Sequence, residues 1–178
     1  MQTITRLALA SLIGMAAFSQ PVFASSTPAS GIDTTTLRNF SLDTTFLSKW
    51  KAVQTDALKD PCHLDAMFTL MKMTHDGQKY SVDQVASGYD AQPGVHAMLA
   101  SHGITARDYL AGVMTLFAAG KQEMAEEHPG MVKKTGFQVS EANLAFYRQH
   151  KDEIHQFSQQ TGEQMLRQNG GKMPTCPG

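Results

Sequence analysis

Three side chains that can bind a soft metal ion occur at helical spacing in this chain. They are Met67, Met71 and His75, at positions i, i+4 and i+8. Residues three or four apart lie on the same side of a helix. Thioether and imidazole groups are suitable ligands for Cu(I). We call these three residues the Met/His stripe, and they indicate a copper site.

The same spacing has a second interpretation. Met67 and Met71 coincide with an apolar stripe that includes Leu64 and Phe68. Methionine is a common filler of irregular space in hydrophobic cores. The nine methionines that follow residue 24 are also spread along the chain rather than clustered. The stripe therefore favours core packing, and metal binding is the alternative. No cofactor is expected from the sequence, with copper or haem as the alternatives.

His150 and His155 form a second candidate pair, with Asp152 and Glu153 between them. Two residues five positions apart point about 140° away from each other on an ideal helix. A bend near Lys151 would bring them closer, but a solvated charged face is the simpler explanation of the pattern. A histidine of this segment and a methionine of another helix are also the ligand types that hold a non-covalent haem.

Short catalytic motifs are absent from the sequence. It contains no G-x-S-x-G, H-E-x-x-H or G-x-G-x-x-G segment and no C-x-x-C-H site for covalent haem. This favours a protein that is not an enzyme. Catalytic groups that assemble only in the folded chain stay open as an alternative.

The first 24 residues predict a signal peptide. Arg6 is the only charged residue before Asp33, and a 12-residue apolar run from Leu7 to Phe18 follows it. A small residue, Ala24, precedes the expected cleavage point. The run is shorter than the roughly 20 residues that span a bilayer. We therefore expect a soluble mature protein, periplasmic or secreted.

The charge of the mature part excludes two classes of partner. Removing 24 of the 178 residues leaves 154, with 14 basic and 16 acidic side chains. A chain of this length forms one domain. Its nearly balanced, interleaved charges provide neither a nucleic-acid footprint nor a polybasic membrane surface. The second apolar stretch, residues 109–120, is too short for a membrane span.

The only two cysteines are Cys62 and Cys176. An even number of cysteines in an exported chain favours a disulfide, because that compartment oxidises thiols. The bridge would tie the C-terminal tail to the start of an early helix. Two unpaired thiols or an intermolecular bridge are the alternatives.

Apolar periodicity and capping residues predict an all-α fold, an irregular helical bundle of five to seven helices. Residues 25–40 are rich in Ser, Thr, Pro and Gly and are expected to be a flexible leader. A single helical domain covers residues 41–178. Expected helix starts lie at Ser41, Asp60-Pro61, Ser81, Pro93, Thr105 and Ser140.

Tyr147 and Arg148 are candidates for contact with a partner. Adjacent helical residues point about 100° apart, so Phe146, Tyr147 and Arg148 are not expected to be buried together. The sequence as a whole predicts a non-enzymatic binding or interaction module for an unknown protein or a small ligand. The alternative is a copper- or haem-binding helical bundle of the cell envelope.

Overall fold

The computed structural model of this 178-residue chain describes residues 31–32, 35–73, 79–130, 138–172 and 176. The expected signal peptide, residues 1–24, lies outside the described residues. The described part contains seven α-helices and one pair of two-residue parallel strands, and it confirms the all-α fold class. In chain order the elements are β1 (Gly31–Ile32), α1 (Thr35–Asn39), α2 (Thr44–Ala57), α3 (Pro61–Met73), β2 (Lys79–Tyr80), α4 (Val82–Asp90), α5 (Pro93–Ser101), α6 (Ala106–Glu127) and α7 (Glu141–Gln168).

Most helices begin where the capping residues predict. Asp60 Oδ1 accepts a hydrogen bond from the Cys62 N–H at 2.8 Å, at the start of α3. Ser81 and Gln84 form a reciprocal capping box on α4. Thr105 Oγ1 accepts from the Asp108 N–H at 3.0 Å on α6. These side chains satisfy backbone donors that the first turn of a helix leaves unpaired.

The helix α2 begins two residues later than expected. Its N-cap is Asp43, whose carboxylate accepts a hydrogen bond from the Phe46 N–H at 2.6 Å. Ser41 is therefore not the cap. Leu42, between them, is 5% exposed, and its N–H donates to Asn143 Oδ1 of α7 at 2.8 Å. The long-range hydrogen bond holds this segment outside the helix.

The expected flexible leader ends earlier than residue 40, because part of it packs against the bundle. Residues 35–39 form α1, which contacts α6. Leu37 is 3% exposed, and the ring of Phe40 meets Phe46 edge-on at 5.3 Å between centroids. Asn143 Nδ2 also donates to the Phe40 carbonyl at 2.8 Å. The composition of this segment does not predict that residues 35–40 pack against the bundle. Only two apolar side chains among polar ones, Leu37 and Phe40, provide this packing.

The longest helix, α7, packs on α6 and α2, and α6 is the centre of the bundle. Helix α6 contacts α1, α2, α4, α5 and α7. Helix α7 runs uninterrupted for 28 residues, through the segment around Lys151. Its buried residues Leu144, Tyr147, Ile154 and Met165 give it a continuous packing side, which favours one uninterrupted helix.

A close approach between α2 and α6 depends on a glycine. A Cβ atom at Gly112 would lie 2.0 Å from Phe46 Cε2 and 2.2 Å from Phe46 Cζ. Phe46 is 5% exposed and therefore has little room to move. The absence of a side chain at Gly112 is what admits the phenylalanine ring.

Two buried tyrosines, Tyr89 of α4 and Tyr109 of α6, lie 6.4 Å apart between ring centroids. The Tyr89 hydroxyl donates to the Met67 carbonyl at 3.2 Å, and the Gln54 amide donates to the Tyr109 hydroxyl at 2.5 Å. Burial raises the pKa of both phenols far above the ordinary value. The neutral phenols thus join α2, α3, α4 and α6.

The sulfur atoms of Cys62 and Cys176 lie at bonding distance, 2.06 Å. The N–H of Cys176 donates to Asp65 Oδ2 at 3.2 Å. Both contacts attach the tail to the first turns of α3, as the cysteine count predicts. Within the described ranges, no helix is both long enough and apolar enough to cross a membrane.

Candidate binding site

The Met/His stripe is only partly described. Met67 is 6% exposed and belongs to the hydrophobic core. The Met71 side chain and the whole of His75 lie outside what the structure describes. No group of three or more His, Cys, Asp or Glu side chains converges on a metal position among the described residues. The position of Met67 matches the core interpretation, and copper binding by the stripe stays a prediction.

The two histidines of α7 have separate environments. His150 packs on the Phe146 ring at 4.4 Å between centroids, and its Nδ1 lies 3.1 Å from Glu153 Oε2. His155 Nε2 lies 2.9 Å from the Tyr147 hydroxyl. The two rings therefore do not face one shared metal position. A haem held by one of them and a methionine stays a prediction.

Tyr147 is buried, in contrast to the surface position expected for it. It is 6% exposed and packs on α6 where Gly120 leaves room. A Cβ atom at Gly120 would lie 2.9 Å from the Tyr147 hydroxyl. Burial raises the pKa of this phenol. Gly120 of the neighbouring helix leaves the room in which this ring packs, and partner contact by Tyr147 stays a prediction.

Arg148 is exposed, but its charge is used between α6 and α7. Its Nε lies 2.5 Å from Glu123 Oε2, and it also pairs with Glu126. Glu123 is 8% exposed and also lies 3.4 Å from Lys151 Nζ. Hydrogen bonding to Glu123 raises the pKa of Arg148. This network holds two helices together, and partner contact by Arg148 stays a prediction.

A pocket of about 390 Å³ lies where α4, α5 and the start of α6 meet. Its floor is apolar and buried, with Leu99 1%, Ile104 8% and Ala106 2% exposed. The residues that form the rim are polar or small. The lining residues are Asp90, His96, Leu99, Ala100, Gly103, Ile104, Thr105 and Ala106.

Three helix ends position this lining. Helix α4 ends at Asp90, and Pro93 begins α5 after a two-residue turn. Helix α5 ends at Ser101, and its C-cap His102 is followed by Gly103 with φ +61°. That left-handed conformation suits glycine, and it turns the chain so that the Ile104 N–H donates to the Leu99 carbonyl at 3.2 Å. Ile104 thereby enters the floor beside Leu99.

The polar groups of the rim form one carboxylate–imidazole pair. Asp90 Oδ1 lies 3.0 Å from His96 Nδ1, and the two side chains are 53% and 60% exposed. The Thr105 hydroxyl caps α6 and donates to Asp108 Oδ2 at 2.9 Å. It is therefore not poised as a nucleophile. The pocket can hold an apolar group against its floor and a polar group at Asp90.

Sequence reasoning did not single out Asp90 or the pocket. Gly88 is the glycine at which the sequence pattern alone ends this helix, whereas the structure extends α4 to Asp90 because Tyr89, 1% exposed, packs inside. His102 occupies the C-cap of α5. Its ring also lies 3.2 Å from Asp56 Oδ2 of α2. In the sequence, the dipeptides Gln92-Pro93 and His102-Gly103 were the signals that could have indicated the helix ends around this pocket.

The described structure defines a class: an all-α bundle with one cysteine pair at bonding distance and a pocket at the junction of three helix ends. The chain matches no protein-family model, no curated protein and no solved structure.

Proposed function

We propose that this protein is an exported, non-enzymatic binding module that holds a small ligand in the pocket between α4, α5 and α6. The observation that carries the proposal is the lining: a buried apolar floor with one hydrogen-bonded carboxylate–imidazole pair on the rim. Small-molecule sites are typically concave and mostly apolar, of about 300–1,000 Å³, with a few orienting polar groups. The volume of about 390 Å³ lies in the lower part of that range.

The surroundings of the polar groups support binding rather than catalysis. Asp90 and His96 are both more than half exposed. Water therefore screens their charges, whereas catalytic groups act most strongly in dry, enclosed sites. Thr105 is committed to capping α6. The arrangement thus favours recognition of a ligand without its chemical conversion.

Two features support export. The N-terminal 24 residues have the pattern of a signal peptide. The cysteine pair at bonding distance suits an oxidising compartment. The proposal therefore locates the binding module in the periplasm or the extracellular medium.

The experiment compares two tryptophan variants of α5. Ala100 lines the pocket, whereas Ala97 is exposed on the same helix and does not. Ligand-observed NMR with a small-fragment library should yield ligands that bind wild type and A97W but lose their signal with A100W. Both alanines are exposed, so both variants should fold. Ligands that bind A100W as strongly as wild type would contradict the proposal. A library in which no fragment binds wild type would also contradict it.

A further inference from the structure

We propose that Asn169 is a site of spontaneous deamidation, and that the folded end of α7 controls the rate at which it reacts. The site is separate from the pocket, so the proposal does not depend on the proposed function. Asn169-Gly170 is the one Asn-Gly dipeptide of the sequence. Asparagine is among the thermolabile residues of proteins. A following glycine has no side chain, so its backbone nitrogen can approach the asparagine amide freely.

The reaction closes a five-membered ring within the chain. The backbone nitrogen of Gly170 loses its proton and bonds to Cγ of Asn169, the Cγ–Nδ2 bond breaks, and Nδ2 leaves with that proton as ammonia. Water then adds to one of the two carbonyl carbons of the succinimide ring and opens it, which leaves an aspartyl or an isoaspartyl residue at position 169. The reaction needs no reagent other than water, and base accelerates it because the attacking nitrogen must be deprotonated.

The other two asparagines of the chain are poor candidates for this reaction. Asn39 precedes Phe40, and Asn143 precedes Leu144. The bulky side chain that follows each of them hinders attack on the amide. Asn143 is also 1% exposed, with its side chain hydrogen-bonded to the backbone that precedes α2. Asn169, by contrast, is only half-buried and is followed by an exposed glycine.

The folded end of α7 holds Asn169 away from the reactive conformation. Ring closure requires Cβ of Asn169 and the nitrogen of Gly170 to lie on the same side of the bond between Cα and the carbonyl carbon. The ψ angle of Asn169 is 21°, so the Gly170 nitrogen nearly eclipses the backbone nitrogen of Asn169 instead. The side-chain Nδ2 also donates to the Met165 carbonyl at 2.8 Å. The native conformation therefore protects the amide.

Two glycines hold this helix end in place. Gly170, with φ +60°, and Gly171, with φ +80°, are both left-handed. The Gly171 N–H donates to the Leu166 carbonyl at 2.8 Å, which is the long hydrogen bond of a Schellman motif. The Lys172 N–H donates to the Asn169 carbonyl at 3.1 Å. Helix termini open at a lower free energy than the rest of a fold, so opening of this turn is the step that makes Asn169 reactive.

The product weakens the same helix end. A carboxylate at position 169 cannot donate to the Met165 carbonyl, and the carboxyl end of a helix carries partial negative charge that repels it. An isoaspartyl residue also adds a backbone carbon atom to the turn that Gly171 closes. Loss of ammonia makes the change irreversible. Each deamidated molecule should therefore have a frayed last turn of α7.

The experiment compares wild type and G171A in mildly alkaline buffer, each in its native state and in denaturant. Trypsin cleaves after Arg167 and Lys172 and releases the peptide between them, in which mass spectrometry measures the conversion of amide to carboxylate. Denatured wild type should react at least about tenfold faster than native wild type, which corresponds to about 1.4 kcal/mol of opening free energy. G171A should react faster than wild type in the native state, because alanine is strained at φ +80°. It should react equally fast in denaturant, because the Asn169-Gly170 dipeptide is unchanged.

Two further measurements complete the test. N169Q is the control for the reacting residue, since glutamine would have to close a larger ring, and its peptide should stay unconverted. In the isolated deamidated protein, the Gly171 amide should exchange with deuterium faster than in the unmodified protein. Denatured wild type that stays unconverted would overturn the site. Equal rates for native and denatured wild type, or a native G171A that reacts no faster than wild type, would overturn control by the helix end.

Discussion

Removal of the Cys62–Cys176 bridge should cost this protein a large part of its stability. The two cysteines are 114 residues apart in sequence. For a loop of that length, the chain-entropy relation predicts a loss of about 4.8 kcal/mol when the cross-link is removed from the unfolded chain. Domains are stable by about 5–15 kcal/mol. We therefore expect the variant C62S/C176S to fold, but with little stability in reserve.

Thermal and denaturant unfolding of four samples measures this effect. They are oxidised wild type, reduced wild type, C62S and C62S/C176S. For a chain of this size a loss of 4.8 kcal/mol corresponds to a Tm lower by about 10–20 °C. The reduced wild type and both variants should unfold together, well below the oxidised wild type. Under reductant, the C62S substitution should change stability little.

Two results would refute this reasoning. Two thiols that react with an alkylating reagent in the native, unreduced protein would show that no bridge forms. Equal destabilisation by C62S in oxidised and reduced protein would assign the value of Cys62 to packing. Peptide mapping without reductant provides the direct check, since it should recover Cys62 and Cys176 in one cross-linked fragment.

Further perturbations test the core and the alternative function. G112A should lower the free energy of unfolding, measured with denaturant, by about 1–3 kcal/mol, because its methyl group would overlap the Phe46 ring. A more stable variant would contradict that contact. N143A should lose about 2–4 kcal/mol by the same assay, because two buried backbone groups lose their partner; a change below 1 kcal/mol would argue against this role. Above about pH 10, stability should fall by about 1.4 kcal/mol per pH unit for each buried phenol, because Tyr89 and Tyr109 ionise more readily when unfolded. Y109F should lower that slope, measured as unfolding free energy against pH, by about 1.4 kcal/mol per pH unit, while Tyr89 and Tyr147 keep their share. An unchanged slope would exclude Tyr109. For the Met/His stripe, protein from the envelope fraction should contain no stoichiometric copper and show no Soret band; either signal would favour the metal- or haem-binding alternative.

Local signals in the sequence were sufficient for most helix boundaries. Asp60-Pro61, Ser81 with Gln84, and Thr105 with Asp108 each cap the helix that they predict. These motifs act within three or four residues. Their physical effect therefore depends little on the rest of the fold.

Boundaries that depend on distant residues were predicted less well. The start of α2 depends on Asn143, which binds the backbone on both sides of Ser41 from a helix a hundred residues later. The end of α4 depends on burial of Tyr89. Neither effect can be predicted from the adjacent sequence, because a hydrogen bond or a packing contact also depends on a second residue that is distant in the chain.

The sequence alone determined the all-α class, the capping of the helices and the pairing expected for its two cysteines, because propensity, capping and cysteine count are local or compositional properties. The tertiary structure decided which side chains face one another. It buried Tyr147 beside Gly120, and it folded one stretch of the chain, residues 90–106, so that Asp90, His96 and Ile104 line one pocket. The turns at Pro93 and Gly103 are visible in the sequence, but which side chains these turns bring together depends on how α4, α5 and α6 pack.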